Sequence, residues 1–133
     1  MRRPRPAVQT EAMAIRKILI VDDSATDRQF LLETLSRQGY QCVFAETGEE
    51  ALQKARSESP DLILMDVVMP GTSGFQATRT ISRDEATKHI PVILCTSKNQ
   101  STDKIWGLRQ GARDYVLKPV NPEELVSKIR AIG

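Results

Sequence analysis

Lys17-Ile18-Leu19-Ile20-Val21-Asp22-Asp23 is a short apolar run that ends in two adjacent acids, and this part of the sequence decides the fold. A continuous apolar run of this length, rich in β-branched residues, is typical of a strand buried on both faces. Four similar runs follow, at residues 42–45, 62–65, 92–95 and 115–117. Because helical patterns separate the runs, we predict an α/β fold: a doubly wound, five-stranded parallel sheet of the flavodoxin-like order 2-1-3-4-5, covered by five helices.

The predicted helices begin at recognisable capping residues. Thr47-Gly48-Glu49-Glu50 fits a capping box, and Asn121 stands before a proline and two acids, which favour a helix start. A fourth helix is expected near residues 104–110. The first helix is expected to bury four apolar side chains on one face: Phe30, Leu31, Leu32 and Leu35.

The length of 133 residues suits one domain. We predict a flexible extension over residues 1–14, where prolines and arginines show no periodicity, and a folded domain over residues 15–133. Apolar residues make up 40% and charged residues 27%, as in soluble proteins. No apolar run approaches the roughly 18 residues of a membrane-spanning helix, so we expect a cytoplasmic protein without membrane insertion.

Charge and rare residues limit the chemistry. The net charge of +2 arises within the first twelve residues, so the rest of the chain is neutral and no nucleic-acid surface is indicated. His89 is the only histidine, which is too few for a histidine-rich metal site. Cys42 and Cys95 lie in strand-like runs and are expected to be small buried hydrophobes rather than a disulfide. Any chemistry therefore depends on carboxylates, hydroxyls and lysines.

Polar residues follow several predicted strands at the point where each strand ends. Asp22 and Asp23 follow the first, Asp66 the third, Thr96 the fourth and Lys118 the fifth. Carboxyl ends of parallel strands share one edge of the sheet, and ligands bind there where the strand order reverses. If the first and third strands are neighbours, the three acids meet at that point.

Three carboxylates in a small cleft repel one another, and a hard divalent cation relieves the repulsion. With oxygen ligands only, the expected ion is Mg²⁺, which keeps waters and leaves room for a phosphoryl oxygen. A hydroxyl and a lysine beside it suit the oxygens of a phosphoryl group. Asp66 would then be the nucleophile.

Taken together, these motifs resemble the receiver domain of two-component response regulators, over about residues 16–132. The matching residues are Asp22-Asp23, Leu64-Met65-Asp66, Met69-Pro70-Gly71, Gly74, Thr96-Ser97, Gly111-Ala112, Tyr115 and Lys118-Pro119. Residues 74–79, 102–107 and 109–115 are most similar to the single-domain regulators of twitching motility and type IV pili, the PilH type.

The resemblance implies a magnesium site and a phosphorylation site. Asp66 is expected to accept the phosphoryl group, and Asp23 and Asp66 to ligate Mg²⁺ together with the carbonyl oxygen of Val68. Asp22 would act on the ion mainly through water.

The resemblance also implies a switch. Thr96 would donate its hydroxyl to the phosphoryl group while Tyr115 changes rotamer, and Lys118 would pair with the phosphoryl oxygens. The Lys118–Pro119 bond is expected to be cis. The partner-binding face is expected on the fourth helix, fifth strand and fifth helix, where Trp106 lies.

By the same resemblance, the chain is a single-domain response regulator that accepts its phosphoryl group from a chemotaxis-like histidine kinase and signals by contact with a downstream protein. We expect a monomer that controls type IV pili, twitching or a related taxis, with no enzymatic activity beyond self-phosphorylation from a phosphodonor and self-dephosphorylation. A phosphate sink for a shared kinase remains open.

A Mg²⁺-dependent phosphohydrolase with an aspartyl-phosphate intermediate is the main alternative from another class. Phosphatases of the haloacid-dehalogenase type have an acid two residues after the nucleophile, where this chain has Val68. A dinucleotide-binding domain is disfavoured, because no Gly-x-Gly-x-x-Gly turn follows the first strand.

Overall fold

The computed structural model describes residues 15–97 and 107–133, apart from the side chain of Ser97. The five strands are β1 (Lys17–Val21), β2 (Gln41–Ala45), β3 (Leu62–Asp66), β4 (Val92–Ser97) and β5 (Asp114–Lys118). The helices are α1 (Ala25–Ser36), α2 (Gly48–Glu58), α3 (Gly74–Arg83), α4 (described at residues 107–109) and α5 (Pro122–Ile132).

All five strands are parallel and pair in the order β2-β1-β3-β4-β5, which confirms the predicted α/β fold and strand order. β1 pairs with β3 so that Val21 lies opposite Met65. Asp22 follows Val21 and Asp66 follows Met65, so the two acids lie side by side at the carboxyl edge of the sheet. The predicted extension 1–14 and Trp106 lie outside the described residues.

Both faces of the sheet are buried because each strand turns alternate apolar side chains to opposite sides. One layer lies on the side of α2 and α3 and includes Leu19, Val21, Ala51, Ala55, Ile63, Met65, Ala77 and Ile81. The other lies on the side of α1 and α5 and includes Ile18, Ile20, Leu31, Leu35, Leu62, Leu64, Leu125 and Ile129. Each fully buried large aliphatic side chain contributes about 2 kcal/mol, so the layers fix the strand ends that carry the acids.

The capping box predicted at the start of α2 forms only in part. The hydroxyl of Thr47 accepts from the backbone N–H of Glu50, but the Glu50 carboxylate accepts from the backbone N–H of Glu46, at 2.8 Å. The complete box stands at the start of α3, where Ser73 and Gln76 each accept from the backbone N–H of the other. Ser and Gln three apart are the same signal, which the sequence reading missed.

The apolar face predicted for α1 is narrower than expected. Leu31 and Leu35, one turn apart, are buried against the sheet, and Leu32 is partly buried. Phe30 is 41% exposed, so the expectation that it joins the buried face is wrong. Successive residues of a helix point about 100° apart, and the face centred on Leu31 and Leu35 leaves Phe30 at its margin.

The two cysteines are free thiols, as predicted. Cys95 is buried on β4, and burial raises the pKa of its thiol to about 12. Cys42 is half-buried on β2, and burial raises its thiol pKa to about 11. Neither thiol forms the reactive thiolate near neutral pH. In the part of the chain that is described, no helix has the length and apolar character to cross a membrane.

Two buried threonines near α3 provide a test of the packing. The Thr78 hydroxyl has no hydrogen-bond partner among the described residues, whereas the Thr87 hydroxyl donates to the carbonyl of Ile81, at 2.8 Å. Thr78→Val should raise the free energy of unfolding by about 1 kcal/mol, because it removes an unsatisfied buried hydroxyl. Thr87→Val should lower it by about 1 kcal/mol or more. Urea unfolding of both variants checks the pair, and equal shifts would contradict this account.

Candidate functional site

Three acids meet at the carboxyl edge of the sheet. Asp22 and Asp23 follow β1, and Asp66 ends β3; one carboxylate oxygen of each lies within 4.8 Å of the others. Asp22 and Asp66 are buried, whereas Asp23 is exposed. The cluster therefore opens to solvent on one side and rests on the sheet on the other.

Three hydrogen bonds hold Asp22 in place, one each with β2, the loop before α1 and α1 itself. Its backbone N–H donates to the carbonyl of Ala45, at 3.0 Å, which extends the pairing with β2. Its carboxylate accepts from the backbone N–H of Ser24, at 2.9 Å, and its carbonyl accepts from the guanidinium of Arg28, at 2.8 Å. Ser24 caps α1 by accepting from the backbone N–H of Asp27. The carboxylate is thus positioned by its own backbone and the start of α1.

Lys118, at the end of β5, reaches across the cluster. Its Nζ lies 2.9 Å from Asp66 Oδ1, 3.2 Å from Asp22 Oδ2 and 3.3 Å from Asp27 Oδ2. The sequence predicted that Lys118 lies at the same edge of the sheet as the three acids, but it gave no sign of the contact with Asp27, because an acid in the first turn of a helix is common without any site. The predicted cis bond between Lys118 and Pro119 is present.

The electrostatics of the site follow from this crowding. The pKa of Asp66 is raised, first by burial and then by the charges of Asp22 and Asp23, against the lowering effect of Lys118. Burial alone would lower the pKa of Lys118, but its ion pairs with Asp66 and Asp22 outweigh burial and raise it. Lys118 is therefore a permanent cation at neutral pH, and the ionised acids lack full compensation.

The loop after β3 lies close to the backbone of Asp66. Gly74, the first residue of α3, donates its backbone N–H to the carbonyl of Val67, at 2.9 Å. A Cβ at position 74 would lie 2.1 Å from the carbonyl oxygen of Asp66, so only glycine fits there. Val67 and Met69 are buried, whereas Val68 between them is 75% exposed. The loop thus holds Val68 in solvent beside the acids.

Two further predicted residues lie on β4 and β5. Thr96 is buried near the end of β4, one residue after Cys95, which pairs with Asp66. Tyr115 is partly buried against the core of β3 and β4. The Nζ of Lys128 on α5 lies 4.7 Å from the Tyr115 ring centroid and donates to the Tyr115 carbonyl, at 2.7 Å.

A groove of about 720 Å³ opens from the acidic site along α1. Asp22, Asp27 and Lys118 line its polar end. Phe30 of α1 and the residues after Lys118, including Val120, line its apolar part. The exposure of Phe30 is explained by its place in this groove wall.

The donor set fits a hard divalent cation. Among the described residues three carboxylates converge, one side of the cluster is open for water, and the negative charge that Lys118 leaves uncompensated favours a cation. The structure thus places Asp22, Asp23, Asp66 and Lys118 together as predicted, with Thr96 on the adjacent strand.

The fold and this edge of the sheet define a class of signalling domain. The family model of the response regulator receiver domain matches residues 18–130, and the chain belongs to that family.

Protein PilH of Pseudomonas aeruginosa is 53% identical over 116 residues, which cover 87% of this chain and 96% of PilH. The chemotaxis protein CheY4 of Vibrio cholerae has a TM-score of 0.83 and 34% identity, over 90% of this chain and all of that one. A receiver domain of a Pseudomonas aeruginosa sensor histidine kinase has a TM-score of 0.80 and 30% identity, over 89% of this chain and 97% of that one. That structure has a magnesium ion coordinated in its active site cleft.

The repulsion among the acids predicts a stabilising effect of Mg²⁺. A ligand that binds only the folded state stabilises it by mass action, so saturating MgCl₂ at pH 7 should raise Tm by roughly 3 °C or more. NaCl of equal ionic strength serves as the control. An equal shift with NaCl would contradict a specific cation site.

The same measurement on Asp66→Asn checks the raised pKa of Asp66. Ionisation of Asp66 costs stability as the pH rises from the ordinary carboxyl pKa through the raised one, so without Mg²⁺ the variant should melt higher than the parent at pH 7. The gain should vanish as the pH falls toward about 4, the ordinary carboxyl range. Glu85→Gln is the control, because it removes an exposed acid from the loop after α3. It should leave both the Mg²⁺-induced shift in Tm and the pH dependence of Tm unchanged.

Proposed function

We propose that this chain is a phosphorylation-dependent signalling switch that accepts a phosphoryl group on Asp66 from the phosphohistidine of a histidine kinase. The observation that carries the proposal is the convergence of three acids within 4.8 Å, with Lys118 Nζ 2.9 Å from Asp66. An acceptor carboxylate, a fixed cation and a cation-binding acid pair are the parts that phosphoryl transfer to a carboxylate requires.

In this mechanism an oxygen of Asp66 attacks phosphorus, the N–P bond of the phosphohistidine breaks, and the imidazole nitrogen leaves with the bond's electron pair. Asp23, Asp66 and the carbonyl of Val68 would hold Mg²⁺, with Asp22 acting mainly through water. When bound, Mg²⁺ neutralises charge on the phosphoryl oxygens. Lys118 contributes a second positive charge at those oxygens, and Asp22 keeps Lys118 over the site.

The readout of phosphorylation would involve Thr96 and Tyr115. Thr96 lies near the end of β4, one residue after the Cys95 that pairs with Asp66, so its hydroxyl is well placed to follow a new group on Asp66. Tyr115 lies on the neighbouring strand with Lys128 of α5 over its ring. A change at Thr96 would thus reach a surface formed by α4, β5 and α5, which we propose as the contact face for a downstream protein.

We also propose that the output concerns type IV pili and twitching motility, from a monomeric, cytoplasmic protein. The 53% identity to PilH, over 96% of that protein's length, supports this. We propose no enzymatic activity beyond self-phosphorylation from a phosphodonor and self-dephosphorylation. The phosphohydrolase alternative lacks support, because the exposed side chain of Val68 carries no acid.

Labelling by radioactive acetyl phosphate with Mg²⁺ tests the phosphoacceptor. Asp66→Asn should abolish labelling, because an amide oxygen is not an effective nucleophile. Asp114→Asn is the matched control, since Asp114 begins β5 at the opposite edge of the sheet and should be labelled as the parent is. Persistent labelling of Asp66→Asn would displace Asp66 from its role. Lys118→Ala should keep some labelling but lose any phosphate-dependent change in partner affinity.

The exposed position of Val68 predicts its effect on phosphate lifetime. Val68 lies two residues after Asp66, beside the path of an attacking water, and a valine cannot orient that water. Val68→Asn should change the rate of self-dephosphorylation several-fold. Decay of radiolabelled phosphoprotein measures the rate, with Val68→Leu as the apolar control. Equal decay rates in the parent and Val68→Asn would contradict this role.

A further inference from the structure

Lys118 contacts an acid, Asp27, that has no part in the proposed phosphoryl transfer. An ammonium has three N–H donors, and here three carboxylates from three elements lie within 3.3 Å of Nζ: Asp66 of β3, Asp22 after β1 and Asp27 of α1. No donor of the ammonium is left for another acceptor. For Lys118 to bind a phosphoryl oxygen on Asp66, one of these contacts must be given up.

The three contacts differ in how firmly they are held. The side chains of Asp22 and Asp66 are 3% and 8% exposed, whereas that of Asp27 is 48% exposed. Asp22 is also fixed by the backbone N–H of Ser24. A buried carboxylate that loses its partner costs the protein free energy. An exposed carboxylate loses its partner at little cost, because water replaces the partner. Asp27 is therefore the contact that Lys118 leaves.

Charge supports the same conclusion. Three carboxylates, those of Asp22, Asp27 and Asp66, contact the one ammonium of Lys118, and Asp23 lies beside Asp22 and Asp66, so negative charge is in excess before any cation binds. Phosphorylation adds further negative charge at Asp66. Asp27 contributes to this excess without belonging to the group of acids that converge on the cation position. Its charge repels the further negative charge that phosphorylation adds at Asp66.

We propose that Asp27 is a positioning residue that retains Lys118 in the unphosphorylated state and so competes with the phosphoryl group for it. The inference rests on the proposed function of Asp66 and Lys118. Asp27 also lines the groove beside Phe30, so a molecule that occupies the groove would meet the Asp27–Lys118 pair before it meets Asp66. The strength of that pair sets how readily Lys118 turns to the phosphoryl group.

The first test measures the affinity for beryllofluoride, a phosphoryl mimic, with Mg²⁺ by NMR titration. Asp27→Asn and Asp27→Ala should each bind it about threefold to fivefold more tightly, as expected when one partly exposed ion pair no longer competes. Asp27→Glu should restore the parent affinity, because it restores the pair. Glu33→Gln is the matched control: it removes an exposed acid further along α1 and should change nothing. Unchanged or weaker binding by Asp27→Asn overturns the inference.

A second test asks whether Asp27 acts through Lys118. Initial rates of labelling from radioactive acetyl phosphate are sensitive enough to follow the slow Lys118→Ala variant. Asp27→Asn should raise the rate about threefold in the parent and leave it unchanged in the Lys118→Ala background. An equal rise in both backgrounds would overturn the inference, since Asp27 would then act through its charge alone.

Failure of the underlying function has a different result. If Asp66→Asn still binds beryllofluoride and is still labelled, the assignment of Asp66 fails. If both depend on Asp66 while Asp27→Asn matches the parent, only the role of Asp27 fails.

Discussion

Crowding of like charges at one edge of the sheet is the constraint on which the rest of this structure depends. Two buried strands end in acids, and their pairing register leaves Asp22 and Asp66 side by side with Asp23 next to them. Burial, and after it the charges of Asp22 and Asp23, raise the pKa of Asp66 despite the nearby ammonium of Lys118. Apolar packing on both faces of the sheet supplies the free energy that keeps the acids together.

The fold was predictable because its signals are local and repeated. Five short apolar runs separated by helical patterns leave few alternatives to a doubly wound sheet, and polar residues at the strand ends then identify the ligand edge. The site followed from the fold: once β1 and β3 are neighbours, Asp22 and Asp66 must meet. Placing Lys118 at the site also requires that β5 lie close enough for a lysine side chain to reach past the end of β4 to Asp66.

The features that the sequence did not predict depend on how side chains of different elements lie relative to one another. Asp27 in a first helical turn is indistinguishable from an acid that merely favours a helix start, and only the position of Lys118 reveals its contact. Phe30 fits the apolar spacing of α1, yet the exact rotation of that helix on the sheet leaves it in the groove wall. Glu50 fits a capping box, but its carboxylate accepts from the backbone N–H of Glu46 and not from that of Thr47.

Gly74 imposes a lasting restriction on how this chain can diverge. Its missing side chain lets α3 start against the peptide group of Asp66, with no free space between the two backbones. No substitution of Gly74 is therefore tolerated, whereas the solvent-facing side chain at position 68 can vary without disturbing the packing. Under the proposed function, a lineage of such domains can change its phosphate lifetime through position 68 while the close backbone contact between Gly74 and Asp66 stays the same.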